Sequence, residues 1–281
     1  MAEAVADRLD GEVVSADAMQ AYRGLPILTA QPTRPTRLVG IWPLSHDGSV
    51  AEYAALAHHA IDELLADGRT PIVAGGTGLY LRAAVAELEI PPAAERRGQW
   101  ERLYDRLGGE RAHAALALRD ADAAARIHPN DRRRVVRALE LVELGSRLPP
   151  SKRLWTHDTR HPTIIFGLDV PRDVLAARIE QRAREMFAAG VEEEVTRALA
   201  ARPSATVVQA LGLRDIAELP PKEALERLMI RTRRLAAYQR KWMRRIPRLV
   251  SVNADRPPDE VADEIVEVAR ARQRLPAGRA G

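Results

Sequence analysis

The amino-acid sequence predicts an α/β fold built on a parallel sheet. Two observations support this prediction: short apolar strand patterns alternate with amphipathic helix patterns, and a glycine-rich loop at 75–78 follows one strand and opens a helix. The 281 residues, of which 46% are apolar, suffice for one large domain or for a core with a smaller appendage. Because only 4% are aromatic, aliphatic side chains and alanine must fill the interior.

The first part of the chain carries clear start and stop signals. Val5 and Leu9 lie four residues apart, as on one helix face, and Asp10-Gly11 ends that helix pattern. Ser49 is a suitable N-cap for the next helix. The elements expected up to residue 92 are a helix, a strand, a helix, a buried strand and a helix, at 2–9, 12–15, 49–66, 71–74 and 79–88.

The middle of the chain shows helical patterns alone. It begins after Pro91-Pro92 and ends in a polar stretch at 149–162. Three helices are expected here, at 99–107, 110–118 and 130–144. The change of pattern predicts a helical insertion at 93–160 within an α/β core formed by 1–92 and 161–281.

The last part returns to alternating strands and helices. Pro171 suits the first position of a long helix, since proline lacks the amide hydrogen that a helix start leaves unpaired. The expected elements are strands at 163–169 and 249–252 and helices at 171–189, 191–201, 206–217, 221–246 and 257–274. In the helix that begins at 221, four residues are expected to face inward: Leu228, Leu235, Trp242 and Ile246.

Composition excludes several function classes. The chain has no cysteine, which rules out disulfides, a thiol nucleophile and thiolate-bound metals. No apolar stretch reaches the roughly 18 residues of a membrane span. The first twelve residues carry four acids and one Arg, unlike a secretory signal. A cytoplasmic protein with no membrane partner is expected.

Basic charge is concentrated in two blocks. Residues 126–137 contain five Arg and one Asp, and residues 220–248 contain ten Lys or Arg and two Glu. Such blocks indicate either a polyanionic partner or solvated helix faces, and charge alone does not separate the two.

Two features could carry chemistry. Asp17 directly follows the strand at 12–15, at the carboxyl edge of the predicted sheet, where open α/β folds bind ligands. It could be a general base or a metal ligand, or it could simply cap a turn. The loop Gly75-Gly76-Thr77-Gly78 presents backbone amides that suit phosphate, or it is a tight strand-to-helix turn.

Five segments in one order make the interpretation specific. They are SADAMQAYRGLPILTAQPT (15–33), PIVAGGTGLYLRA (71–83), ARIHPNDRRRVVRALEL (125–141), RIEQRAREMFAAGVEEEV (178–195) and ALGLRDI (210–216). In this order the chain, from residue 1 to about 274, resembles the bacterial tRNA dimethylallyltransferase (tRNA isopentenyltransferase) family. The resemblance implies a P-loop-kinase-like core with a helical insertion. It also implies magnesium-dependent transfer of a dimethylallyl group from dimethylallyl diphosphate to the exocyclic amine of the adenosine 3′-adjacent to the tRNA anticodon.

The resemblance also assigns roles to residues. Asp17 matches the family's general base, Thr77 the hydroxyl near the reacting amine, and Arg182 an arginine that faces the diphosphate. Contacts with the tRNA anticodon stem-loop are implied for Asp17, Ala18, Met19, Gln20, Arg97, Arg133, Arg134, Val135, Val136, Arg137, Gln209, Ala210, Leu211, Gly212, Leu213 and Arg214. No metal ligand is assigned, and a monomer is expected.

The sequence departs from the family pattern at several places. The family's first strand and GxTxxGK[ST] phosphate loop are absent before residue 1, so we expect a misassigned start or an incomplete chain, and a chain that is inactive and poorly stable as given. A degenerate paralogue is the second interpretation. Ala18 stands where the family has Ser, Gln31 where it has Lys, and Leu213 where it has Tyr.

Two other functions fit the residues less specifically. A nucleotide or small-molecule kinase of the same fold class would use the glycine loop but would not need the arginines at 126–137. A non-catalytic RNA-binding paralogue would bind tRNA without the allylic diphosphate. Binding assays with each ligand separate the three possibilities.

Overall fold

The computed structural model describes residues 1–88, 98–147 and 154–274. The chain divides into two compact units. One, the α/β unit, comprises residues 1–87 and 155–281, and the other, the helical unit, comprises residues 88–154. The expected bounds 93 and 160, which were read from the change in pattern, lie a few residues from this division.

The strands of the α/β unit form two parallel pairs. Strand β1 (Gly11–Ser15) pairs with β2 (Thr70–Ala74), and β3 (Phe166–Asp169) pairs with β4 (Val250–Asn253). The parallel α/β class expected from the sequence is confirmed, but within the described residues the strands form two separate two-stranded sheets. In the first pair Ser15 lies opposite Ala74, so both strands end at the same edge.

Helices cover these strands. Those described in the α/β unit are α1 (Ala2–Arg8), α2 (Val50–Ala66), α3 (Gly78–Val85), α8 (Arg172–Ala188), α9 (Val191–Ala200), α10 (Leu213–Glu218), α11 (Pro221–Met243) and α12 (Pro258–Arg274). Helix α2 packs on α3, β1 and β2. The expected cap at Ser49 is present, since its hydroxyl accepts a hydrogen bond of 3.1 Å from the Glu52 amide.

One part of the core joins the two ends of the described chain. Helices α1 and α12 pack together, and Val5 and Val252 are buried there with Val261 and Ile265. Arg8 donates to Asp263 at 2.5 Å at the rim of this contact. Burial of the apolar side chains, rather than the exposed ion pair, stabilises it.

The helical unit contains α4 (Gln99–Leu107), α5 (Gly109–Ala117), α6 (Ala121–Arg126) and α7 (Arg132–Glu143) among its described residues. Its core includes Leu116, Val135 and Leu139, all fully buried. Helix α6 was not expected from the sequence, because its six residues carry no large apolar side chain. Asp120 caps it by accepting a 2.9 Å hydrogen bond from the Ala123 amide.

Three sequence-based expectations are wrong in detail. The helix expected at 206–217 is a short 3₁₀ turn at Val207–Gln209 followed by α10, because Gly212 with φ of +90° interrupts it. Strand β2, expected to be buried, is half-buried along its whole length. Leu235 in α11, expected to face inward, is 41% exposed.

Candidate active site

Asp17 lies just beyond the end of β1 and organises the turn that follows. Its Oδ1 accepts hydrogen bonds from the amides of Met19 at 2.9 Å and Gln20 at 3.3 Å. This is the turn role that the sequence left open, and the side chain is half-buried rather than enclosed. One carboxylate oxygen is therefore engaged in local structure while the group stays within reach of a ligand.

The glycine loop lies directly beside this turn. A Cβ added to Gly75 would lie 2.3 Å from the carbonyl oxygen of Ala16, so only glycine allows the two segments to approach this closely. Thr77 is the N-cap residue of α3, and its Oγ1 accepts from the amide of Ala18 at 3.4 Å. The parallel register of β1 and β2 thus brings Asp17 and Thr77 to one edge.

The loop after Asp17 is held by side-chain amides. The Nε2 of Gln20 donates to the carbonyls of Thr29 at 3.2 Å and Ala30 at 2.9 Å. The Nε2 of Gln31 donates back to the carbonyls of Gln20 at 3.1 Å and Tyr22 at 2.7 Å. Gln31, which replaces a lysine of the family pattern, therefore closes the loop on itself in this chain.

A buried carboxylate anchors the same loop from the other side. Glu194 on α9 is 2% exposed, and its two oxygens accept hydrogen bonds from the amides of Ile27 at 2.9 Å and Leu28 at 2.8 Å. Sequence reasoning missed this residue, since Glu194 stands in a run of glutamates that is typical of a solvated helix start. The signal that could have indicated it is the position of Val191 and Val195, whose burial turns Glu194 inward.

Tyr53 supports β1 from α2. Its hydroxyl donates to the carbonyl of Ser15 at 2.9 Å, and the side chain is fully buried. Burial raises the pKa of Tyr53 well above its ordinary value, so the phenol stays a neutral donor. Its ring lies 4.3 Å from that of Tyr80 on α3.

Helix α11 contacts the glycine loop directly. The Nε2 of Gln239 donates to the carbonyl of Gly76 at 2.9 Å. The indole of Trp242 lies against Gly78, where an added Cβ would be 3.1 Å from the ring. Trp155 stacks on Trp242 with centroids 5.7 Å apart and planes 10° apart. Sequence reasoning assigned Trp242 to packing and did not identify Gln239.

Comparison with known proteins decides the family. A family model described as IPP transferase matches residues 20–246. The chain belongs to the IPP transferase family. The family resemblance inferred from the five sequence segments is thereby confirmed.

Relatives in this family share much of the sequence. The chain is 39% identical over 280 residues to a protein from Corynebacterium jeikeium named tRNA dimethylallyltransferase, covering 94% of this chain and 90% of the relative. It is 44% identical over 189 residues to the protein of that name from Streptomyces coelicolor, covering 65% of this chain. The matched part spans 60% of the Streptomyces coelicolor protein.

Solved structures agree with the fold. A tRNA isopentenylpyrophosphate transferase from Bacillus halodurans is 32% identical, with a TM-score of 0.68 over 96% of this chain and 91% of that chain. A eukaryotic dimethylallyltransferase described as acting on tRNA has a TM-score of 0.77 over 99% of this chain and 77% of that chain. Its 21% identity supports the fold alone.

The IPP transferase match leaves the individual roles of the remaining site residues as predictions. Arg182 lies exposed on α8, one turn after Arg178. Arg178 donates to the carbonyl of Ala254 at 3.1 Å and to Asp255 at 3.3 Å. Arg178 thus fixes α8 to the end of β4, while Arg182 presents its charge to solvent.

The segment 209–214 combines exposed and buried positions. Gln209 and Arg214 are exposed, and Leu211 is half-buried, whereas Ala210, Gly212 and Leu213 are buried. An added Cβ on Gly212 would lie 2.7 Å from Leu228 Cδ1, so the turn packs closely on α11. Side-chain contact with RNA is therefore open to Gln209 and Arg214, and the buried residues shape the turn.

The arginine block of the helical unit also combines exposed and buried positions. Arg133 and Arg134 are exposed at the start of α7, and Arg137 pairs with Glu140 at 3.2 Å. Val135 is fully buried and Val136 is 4% exposed, so both belong to the interior. Their predicted tRNA contact cannot come from exposed side chains in this conformation. Arg97 lies outside the described residues.

The described residues do not form a metal cage. Among residues 1–88, 98–147 and 154–272, no group of three or more His, Cys, Asp or Glu side chains lies close enough together to hold a metal ion. No helix in this part of the chain is long and apolar enough to cross a membrane. The side chains described here thus offer magnesium no more than two such groups at any one place.

Proposed function

We propose that this chain transfers a dimethylallyl group from dimethylallyl diphosphate to the exocyclic amine of the adenosine 3′-adjacent to the tRNA anticodon. The observation that carries the proposal is the meeting of Asp17 and Thr77 at one edge of the β1–β2 pair. Family membership adds support, since relatives are named tRNA dimethylallyltransferase. We place this reaction in the cytoplasm and assign it to a monomer.

The chemistry proposed for the site is a substitution at an allylic carbon. The adenine nitrogen forms a bond to that carbon while the carbon–oxygen bond to the diphosphate breaks, and the electron pair leaves with the diphosphate. The amine is a poor nucleophile until it loses its proton, which Asp17 accepts as general base. The Thr77 hydroxyl orients the amine, and Arg182 offsets charge that develops on the leaving diphosphate.

We propose that magnesium binds together with the diphosphate substrate. Mg²⁺ keeps several waters and commonly binds through one or two carboxylates and substrate phosphates, so a cage of protein carboxylates is not required. In bound form it would supply charge stabilisation for the leaving group. The side chains of the protein itself accept the proton and orient the amine.

The RNA partner is proposed from charge and exposure. Arg133 and Arg134 of the helical unit and Arg214 of the α/β unit present unburied guanidinium groups, which suit the sugar–phosphate backbone of an anticodon stem-loop. The reacting base must leave its stack for its amine to reach Asp17, and a single-stranded loop lowers that cost.

The decisive experiment is Asp17→Asn, assayed by single-turnover transfer to unmodified tRNA with magnesium. Asn keeps an oxygen that can accept from the Met19 and Gln20 amides, so the turn is preserved while the base is lost. We expect the rate to fall by about 10²- to 10⁴-fold with unchanged tRNA affinity. Asp67→Asn, at an exposed turn after α2, is the matched control.

Two results would count against the proposal. A near-normal rate in Asp17→Asn contradicts the role of the base. A wild-type chain that binds tRNA but neither binds the allylic diphosphate nor transfers the group is an RNA-binding paralogue instead.

A further inference from the structure

We propose that Gln239 and Trp242 of α11 are positioning residues that hold Thr77 in place for the reaction. The inference rests on the proposed function and adds two residues to its machinery. Neither residue need touch the reacting atoms, because each contacts a residue adjacent to Thr77 in the glycine loop.

The two contacts flank Thr77 on both sides. Gln239 Nε2 donates to the Gly76 carbonyl at 2.9 Å, and a Cβ on Gly76 would lie 2.4 Å from that nitrogen. The Trp242 ring lies on the other side, 3.1 to 3.4 Å from where a Gly78 Cβ would be. Residues three apart share one helix face, so a single face of α11 contacts the loop before and after Thr77.

The opposite side of the loop is held by the end of β1. Gly75 packs against the Ala16 carbonyl, and the Ala18 amide donates to Thr77 Oγ1 at 3.4 Å. This last hydrogen bond is long, so it fixes the hydroxyl weakly on its own. Helix α11 therefore supplies the firmer half of the support, and the loop is clamped between two elements.

Trp242 is itself held in one orientation. Trp155, 6% exposed, stacks on its ring, and the neighbouring chain is fixed by Arg82. The guanidinium of Arg82 donates to Thr156 Oγ1 and to the Asp158 carbonyl, both at 2.7 Å. Arg82 lies on α3, so the helix that begins at the glycine loop also secures the aromatic pair behind it.

Precise placement is what this arrangement contributes to catalysis. A hydroxyl that orients an amine acts only within hydrogen-bond distance, and a displacement of about 1 Å can cost roughly 10²-fold in rate. The Gly76 carbonyl that Gln239 holds and the Thr77 amide belong to one planar peptide group, so a shift of that carbonyl also moves Thr77.

The test is Gln239→Leu, which keeps the size of the side chain and removes the donor. In single-turnover transfer we expect the rate to fall about 10- to 100-fold, with the dissociation constant for tRNA within about twofold of wild type. Trp242→Leu should act similarly, and Trp242→Phe should retain more of the rate. Glu226→Leu, exposed on the same helix, is the control and should leave the rate unchanged.

A double-mutant cycle separates positioning from general damage to the fold. In a Thr77→Ala background, Gln239→Leu should reduce the rate by less than about threefold further, because the group it positions is already gone. Full multiplicative losses would show that Gln239 acts elsewhere and would overturn the inference.

Three further outcomes are informative. Normal rates in both Gln239→Leu and Trp242→Leu would overturn this inference and leave the proposed function intact, since wild type would be active. A wild type that carries the family's first strand and phosphate loop and is still inactive would refute the proposed function, and the positioning role would be refuted with it. Amide hydrogen exchange in the loop 75–78 should be faster in Gln239→Leu, and unchanged protection would also count against the clamp.

Discussion

The buried carboxylate of Glu194 offers a sharp test of how the site is held together. Replacing Glu194 with Ala removes both acceptors of the loop amides and leaves the Leu28 nitrogen, which is buried, without a partner. The Ile27 nitrogen is part-buried and can recover a hydrogen bond from water. The loop that holds the Asp17 turn would then lose its anchor on α9.

The expected magnitude follows from these two environments. An unsatisfied buried donor costs about 1–3 kcal/mol, and the exchange of a charge-assisted bond for one with water costs about 1.5–3 kcal/mol, so Glu194→Ala should lower the free energy of unfolding by about 2.5–6 kcal/mol. Glu194→Gln keeps one acceptor but turns an amide N–H₂ toward the second donor, and it should cost about half as much. Either loss is large beside a total of about 5–15 kcal/mol.

The measurement is urea unfolding followed by circular dichroism, with Glu193→Gln as the control. Glu193 lies on the same turn of α9 and is exposed, so its substitution should change the free energy of unfolding by less than about 0.5 kcal/mol. If Glu194→Gln were as stable as the control, the two hydrogen bonds would not hold the loop and the reasoning would be refuted.

Three further predictions concern β1, an ion pair and RNA binding. Tyr53→Phe should cost about 1 kcal/mol of unfolding free energy, because it removes the donor to the last carbonyl of β1, and an unchanged thermal midpoint would contradict this. Arg160 holds the pKa of Asp62 at about 2, below 3.8, so the pair stabilises the fold above about pH 4 and loses this effect as pH falls toward 2. Asp62→Asn should remove that pH dependence, and because the pair is exposed the free energy of unfolding should change by less than about 1 kcal/mol. NMR titration of Asp62 in the wild type measures its pKa directly. Charge reversal at Arg133 and Arg134 should weaken tRNA binding and lower its salt slope by about one per lost phosphate contact, and titrations that match wild type at every salt concentration would identify the block as a solvated helix face.

Much of the fold could be predicted because its signals are local. The Ser49 cap and the Pro171 start place helix ends correctly within one or two residues. The failures are also local in origin: α6 has no large apolar side chain, and Gly212 breaks a helix that periodicity alone would continue. The two separate strand pairs could not be predicted, because strand neighbours depend on tertiary contacts.

The same difference between local signals and tertiary contacts applies to the candidate site. Asp17 and Thr77 follow predicted strands, so the register of parallel neighbours suffices to bring them together. The partners of Glu194 and Gln239 could not be predicted, because each side chain acts on a loop more than 160 residues earlier in the chain. Burial of Val135 could not be predicted either, because the charge of the residues around it indicated an exposed surface.

These long-range contacts have a consequence for the order of assembly during synthesis. The partners of Glu194 lie 166 and 167 residues before it, and Gly76 lies 163 residues before Gln239. At about 5–20 residues per second, roughly ten seconds or more separate translation of the site loops from translation of the side chains that fix them. The segments that contain Asp17 and Thr77 therefore leave the ribosome well before the side chains that anchor their loops have been synthesised. The site is completed late, when α9 and α11 emerge, and until then its loops are free to meet chaperones or other nascent chains.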